Sequence, residues 1–264
     1  MTSIADYSGT EQTPHMREYL AAAAGSSGIA QVRATALSMW DVKPDGFLID
    51  VGCGHGEVAR ELSRLMPGAD VTALDHSADM IATAGGLDDG TSVKYLVGDV
   101  YDLPYTDELF DGVRSERVLQ HLADPDRAVG EMARVLVPGG RLCLIDTDWD
   151  SLLLDGSPAG FHERGLAFFQ EFQRMSKPID APTSGRTLRR RLITAGLRDV
   201  RTEPVTLLFT SVAAIQPIMP LNRQMFQAIG FADRAASWLD DLDRADADDT
   251  FLATLTIWVA TGTR

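Results

Sequence analysis

The stretch Phe47-Leu-Ile-Asp-Val-Gly-Cys-Gly-His-Gly-Glu57 constrains the chain more than any other. Phe47, Leu48, Ile49 and Val51 form a short apolar run of strand type, with Asp50 near its end. Gly52, Gly54 and Gly56 follow at alternate positions. Glu57 to Met66 then has helical spacing through Val58, Leu62 and Leu65. Strand, glycine turn and helix together open a nucleotide-type α/β domain. The glycines permit positive φ in a tight turn and let a ligand lie against the backbone, where a Cβ would collide. The first N–H groups of the next helix lack partners inside it and face whatever fills the turn.

The α/β rhythm continues. Asp70 to Asp75, Val93 to Asp99, Leu109 to Ser115 and Arg141 to Asp146 read as strands two to five, with a helix started by Ser77 after the second. Asp124 to Leu136 is an amphipathic helix stopped by Pro138-Gly-Gly140. Val200 to Phe209 and Phe251 to Ala260 supply strands six and seven, with a glycine-closed helix from Ser184 to Gly196 before them. Ahead of the first strand, Tyr19 to Ala24 and Ile29 to Trp40 carry helical signals. Four strands end in or next to carboxylates, which core packing alone disfavours because buried unpaired acids are costly.

Composition narrows the function. A net charge of −14 repels phosphate backbones, so no nucleic-acid partner is expected. The basic cluster Arg186 to Arg191 reads as a solvated helix face, and the acidic run Asp240 to Asp249 as a solvated turn. No apolar run reaches the roughly 20 residues that span a bilayer, and the first residues lack a basic-then-apolar leader. No membrane partner is expected, and the chain reads as cytoplasmic. Cys53 and Cys143 read as free thiols, and five His with two Cys show no metal-ligand spacing.

The glycine spacing is G-x-G-x-G preceded by an acid, not the G-x-G-x-x-G of dinucleotide enzymes. With Gly98-Asp99, Leu103-Pro104-Tyr105, Phe110-Asp111, Val118-Leu-Gln-His-Leu122 and Arg134-Val-Leu-Val-Pro-Gly-Gly-Arg-Leu142, the region resembles class I S-adenosylmethionine (SAM)-dependent methyltransferases of the ubiquinone/menaquinone type. The resemblance covers about residues 46 to 150. It implies a Rossmann-like doubly wound α/β sheet of seven strands in the order 3-2-1-4-5-7-6, the last antiparallel. It implies SAM as cofactor, with Gly52, Gly54 and Gly56 holding the methionine part and Asp50 near its ammonium. Asp75 would take the ribose hydroxyls and His76 would flank the adenine. Asp99 would accept from the adenine amine, Val100 would offer its N–H, and Ser115 would meet the methionine amine. The implied layout is one domain: a helical cap over 1–45, the SAM-binding core over 46–150 and a helical lid over 151–183. Core returns over 184–210, a second helical insertion fills 211–249, and the final strand closes 250–264.

The acceptor side is read from the same rim. Trp149, Phe168, Phe172 and Met225 are candidate substrate contacts, since a small-molecule pocket is mostly apolar. His121, just beyond the fourth strand, is the candidate base, because imidazole titrates near neutral pH. Asp146 or Asp148 would orient it or share the task, as in similar sugar O-methyltransferases, although Gln120 stands where some of those carry a second His. The expected reaction is methyl transfer to a hydroxyl of a small, largely apolar natural product. C- or N-methylation of a quinol-like or amine acceptor is the alternative, as is recruitment of the SAM fold for non-methylating chemistry such as cyclisation. Helical insertions of this kind cover a site or form a dimer contact, which leaves a homodimer open.

Overall fold

The structure, a computed structural model, describes residues 27–176, 181–219, 221–228 and 230–264. The predicted helical piece Tyr19 to Ala24 lies outside them. Helix α1 (Ser27–Met39) precedes β1 (Phe47–Val51), and α2 (Glu57–Leu65), β2 (Asp70–Asp75), α3 (Ala78–Gly86) and β3 (Lys94–Val97) follow. Next come β4 (Phe110–Glu116), a 3-10 turn at Leu119–His121, α4 (Pro125–Arg134) and β5 (Leu136–Asp155). The chain closes with α5 (Phe161–Ser176), α6 (Ser184–Thr194), β6 (Arg198–Phe209), α7 (Val212–Ile215), α8 (Arg223–Ala228), α9 (Ala232–Ala247) and β7 (Leu252–Thr263).

One seven-stranded sheet has the order β3-β2-β1-β4-β5-β7-β6. The pairs β1–β2, β1–β4, β2–β3 and β4–β5 are parallel, while β7 runs antiparallel to both β5 and β6. This is the expected Rossmann-like topology. Strand alternation divides the core between the two faces. Leu48 joins Leu62 of α2 and Ile29, Val32 and Ala36 of α1, whereas Ile49 and Val51 join Val129 and Met132 of α4 and Leu188 of α6. Trp40 seals the first layer, with its indole N–H donating to Arg141 O at 3.0 Å. The helix starts are also explained locally. Ser77 Oγ accepts from Met80 N–H, and Asp124 Oδ1 accepts from Arg127 N–H.

Three sequence expectations change. The fifth strand, expected over Arg141 to Asp146, spans Leu136–Asp155. Its second edge is held by β7 past the end of β4, with a register shift between Asp148 and Leu153. Residues 151–155 are therefore strand, inside the segment expected as lid. The acidic run after Asp240 is no turn but mostly the end of α9, where Arg223 bridges Asp240 and Asp243 at 2.7 Å each. Arg191 does not face solvent either. It is 2% exposed and donates to Asp126 at 2.5 Å.

The β5–β7 seam is the packed centre of the second half, and β6 is an edge. Ile257→Ala, at a fully buried site of β7, is expected to cost about 2–5 kcal/mol in urea unfolding. Leu208→Ala, 62% exposed on β6, is expected to change stability by no more than about 0.5 kcal/mol.

Candidate active site

The carboxyl ends of β1, β2, β3 and β4 form one rim, and the glycine turn lies across it. Gly52, Gly54 and Gly56 all adopt left-handed φ, at 76°, 54° and 74°. The loop is tied down by its own N–H groups. Those of Gly52 and Cys53 both donate to Leu74 O, at 2.7 and 3.0 Å, and that of Gly54 donates to Asp75 Oδ2 at 2.8 Å. Two of the three glycines make room for protein, contrary to the sequence expectation. A Cβ at Gly52 would sit 2.2 Å from Val118 Cγ2, and one at Gly56 would sit 2.7 Å from Tyr95 Cε1.

Asp75 accepts three bonds, from Gly54 N–H, from Ser77 N–H at 2.9 Å and from His76 Nδ1 at 3.3 Å. Burial works to raise its pKa, but these bonds outweigh burial and hold the carboxyl below its usual range. An ionised carboxylate has about four acceptor sites, so about one remains for a ribose hydroxyl. A bidentate grip would require His76 to yield its place. Its side chain is 81% exposed, so nothing packs it down. Asp99 is exposed past β3, and its Oδ1 accepts from Tyr101 N–H at 2.9 Å. Val100 is half-buried beside it. Ser115 is buried, and its hydroxyl donates to Val51 O at 2.8 Å, joining β4 to the start of the glycine turn.

Asp50 is not an open group. It lies 3% exposed, 3.4 Å from Arg114 Nη1, and burial pushes its pKa up to about 6. Arg114 also donates to Glu116 Oε2 at 2.5 Å, and Arg33 of α1 reaches the same oxygen at 3.3 Å. Burial works to raise the Glu116 carboxyl, yet the arginines hold it down at about 2. The sequence reading missed this cluster. Its signal was available, since Arg114 and Glu116 place charges at strand period in a central strand that helices cover on both faces.

The acceptor side centres on Gln120, which the sequence marks only as standing in place of a histidine. Asp146 is fully buried. Its Oδ2 accepts from Gln120 N–H and Ser184 Oγ–H at 2.9 Å each, and its Oδ1 accepts from Thr147 N–H. It therefore pins the backbone just ahead of His121. Asp148 is bonded by Arg186 Nε at 2.6 Å. Both acids are engaged by neighbours on α6. The Gln120 side chain accepts from Trp149 Nε1 at 2.6 Å, which turns its amide nitrogen toward His121 Nε2 at 3.3 Å. An amide nitrogen only donates, so His121 Nε2 accepts and the neutral ring carries its proton on Nδ1. His121 itself is exposed on the rim.

Trp149 is 7% exposed, and its ring centroid lies 5.3 Å from that of Phe169. Phe169 opens an apolar niche lined also by Phe168 and Phe172 of α5, Leu152 of β5, and Met225 and Phe226 of α8. Trp149 thus stands at the niche rather than in it, while Phe168, Phe172 and Met225 line it. The side chains close the niche to room for no more than about one water.

The site suits SAM on its own chemistry. Asp75 and Asp99 offer acceptors for hydroxyls and an amine at neighbouring strand ends. His55 Nδ1 is a buried nitrogen in the loop itself with no hydrogen-bond partner. The acidic rim also favours a sulfonium. Among the described residues, no cluster of His, Cys, Asp and Glu could hold a metal, and no helix is long and apolar enough to cross a membrane.

Comparison with known proteins agrees. A methyltransferase-domain model matches residues 49–144. The chain is 31% identical over 252 residues to an uncharacterised 37.1 kDa protein in transposon Tn4556 of Streptomyces fradiae, covering 93% of this chain and 70% of that protein. It is 36% identical over 101 residues to the demethylmenaquinone methyltransferase of Thermus thermophilus, covering 38% of this chain and 46% of that enzyme. Phosphoethanolamine N-methyltransferase 2 of Haemonchus contortus, solved in complex with S-adenosyl-L-methionine, has the same fold at TM-score 0.61 and 18% identity. That match covers 100% of this chain and 60% of that one. Fold and rim together define a Rossmann-like α/β protein with a ligand cleft at its strand ends. The chain belongs to the class I SAM-dependent methyltransferases, and S-adenosyl-L-methionine is its cofactor.

The Asp75–His76 pair sets a pH dependence. The hydrogen bond and charge of Asp75 raise the His76 pKa above 6.5, against partial desolvation. The stabilisation that His76 gains is fully present below about 6.5 and is lost as pH rises through its higher folded value. NMR titration is expected to place the His76 midpoint above 6.5 and to return it toward that value in Asp75→Asn.

Proposed function

We propose that the protein transfers a methyl group to a hydroxyl oxygen of a small, largely apolar acceptor, with His121 taking the proton. The observation that carries this reading is the hydrogen-bonded run His121–Gln120–Trp149, which ends against the aromatic niche and so joins a titratable group to an apolar one. When bound, the cofactor supplies an electrophilic methyl. Gly54, Asp75, Asp99, Val100 and Ser115 would hold it, with Gly52 and Gly56 shaping the loop.

The rest of the work falls to this chain. Helices α5 and α8 act as the lid, whose aromatic side chains exclude water and must part to admit the acceptor. Ordering the reactants in this way is worth roughly 7–11 kcal/mol at best. His121 accepts the hydroxyl proton at Nε2, giving up its bond from Gln120. That bond is 3.3 Å long, near the outer limit of useful geometry, so releasing it costs little. Asp146 keeps the turn in place by holding the Gln120 N–H.

Incubation with SAM and a panel of small phenols and alcohols is expected to yield S-adenosylhomocysteine by mass spectrometry. His121→Ala is expected to lower turnover at least about tenfold while leaving SAM affinity unchanged. An equal loss of SAM binding would give His121 a structural role, and full turnover in the variant would remove it as the base.

A further inference from the structure

Arg117 follows β4 by one residue, where the strand order turns between β1 and β4. In open α/β sheets the ligand crevice lies at such a switch point. Three observations single it out. First, its φ is +56°, a left-handed conformation that a side chain of this size rarely adopts and that clusters at functional sites. Second, its side chain is only 14% exposed, yet its Nε is buried and makes no hydrogen bond. Buried polar groups are ordinarily bonded, and guanidinium groups especially so. Third, the carboxylate beside it is already taken. Glu116 Oε1 forms an ion pair with Arg117 Nε at 3.8 Å but no hydrogen bond, while Arg114 and Arg33 hold Glu116 more closely.

We infer that Arg117 is a carboxylate receptor in the cleft between β1 and β4. A guanidinium fork matches a carboxylate in plane and spacing. Glu116 beside it disfavours a more highly charged anion such as phosphate. The guanidinium borders the ion cluster under the loop, with Nε 3.8 Å from Glu116 Oε1, at the switch point where the ligand crevice lies. Two sources could bring the carboxylate: the amino-acid part of the cofactor, or an acceptor that is itself a carboxylic acid. The inference rests on the functional reading above, in that the same cleft must take the cofactor.

Calorimetry separates these cases. Wild-type protein and Arg117→Met are titrated with S-adenosylhomocysteine and with its decarboxylated counterpart, which keeps the amine. Benzoate, as a plain aryl carboxylate, is then titrated onto protein saturated with S-adenosylhomocysteine. If the cofactor is the source, Arg117→Met weakens S-adenosylhomocysteine about ten- to hundredfold and leaves the decarboxylated ligand unchanged. If the acceptor is the source, both nucleosides bind as before and benzoate binding is lost. Wild-type protein that binds neither nucleoside overturns the functional reading and the receptor with it. Wild-type protein that binds them normally, with Arg117→Met altering nothing, overturns the receptor alone. Arg117→Gly supplies the control for folding. It relieves the left-handed φ and removes no hydrogen bond at Nε, so its thermal midpoint is expected to hold or rise. A fall of more than about 5 °C would make Arg117 a structural residue and overturn the inference.

Discussion

The carboxylate of Asp75 ties the end of β2 to the middle of the glycine turn through Gly54 N–H, and to the start of the next helix through Ser77 N–H. With Gly52 and Cys53 both donating to Leu74 O, β1 and β2 finish as one rigid corner. Every proposed cofactor contact is placed relative to that corner. The close approach of Val118 to Gly52 then brings the segment after β4, and so His121, to the same rim. Positive φ at Gly52 and Gly56 is needed less for a ligand than for letting β3 and the turn after β4 close against the loop.

The second half of the molecule follows from a different constraint. Once β4 ends, β5 continues because β7 supplies hydrogen bonds along its other edge. That extension carries Trp149, Leu152 and Leu154 away from the sheet centre, and α5 and α8 cover them with aromatic rings. Phe168 stands edge-on to Phe226 at 6.0 Å, and Phe161 stacks on Trp238 at 5.4 Å. The niche is therefore built by a strand as much as by the helices above it. Asp146, buried at the base of this extension, couples the two halves by gripping both the Gln120 backbone and Ser184 of α6.

Much of this was legible in the chain. The sheet order followed from the resemblance carried by the glycine motif and the later motifs, and strands β1 and β2 fell at the residues their apolar runs marked. Ser77 and Asp124 announced their helices because caps act locally. What the sequence hid was set by partners distant along the chain. Thr147-Asp-Trp-Asp150 does not read as strand, since its acids look solvent-facing until Arg186 is seen to bond the buried Asp148. The acids at the strand ends looked like a set of ligand groups. Asp50 proved to be half of an ion pair with Arg114, and Asp146 a backbone clamp. Gln120 looked like a lost histidine and is instead the link between His121 and Trp149.

Titration of S-adenosylhomocysteine into wild-type protein and into Asp75→Asn by calorimetry tests the central claim most directly. One site per chain in the wild type, with binding weakened at least about tenfold in the variant, is the result expected if the corner at Asp75 forms the cofactor cleft. No heat in the wild type, or equal affinity in both proteins, would contradict it.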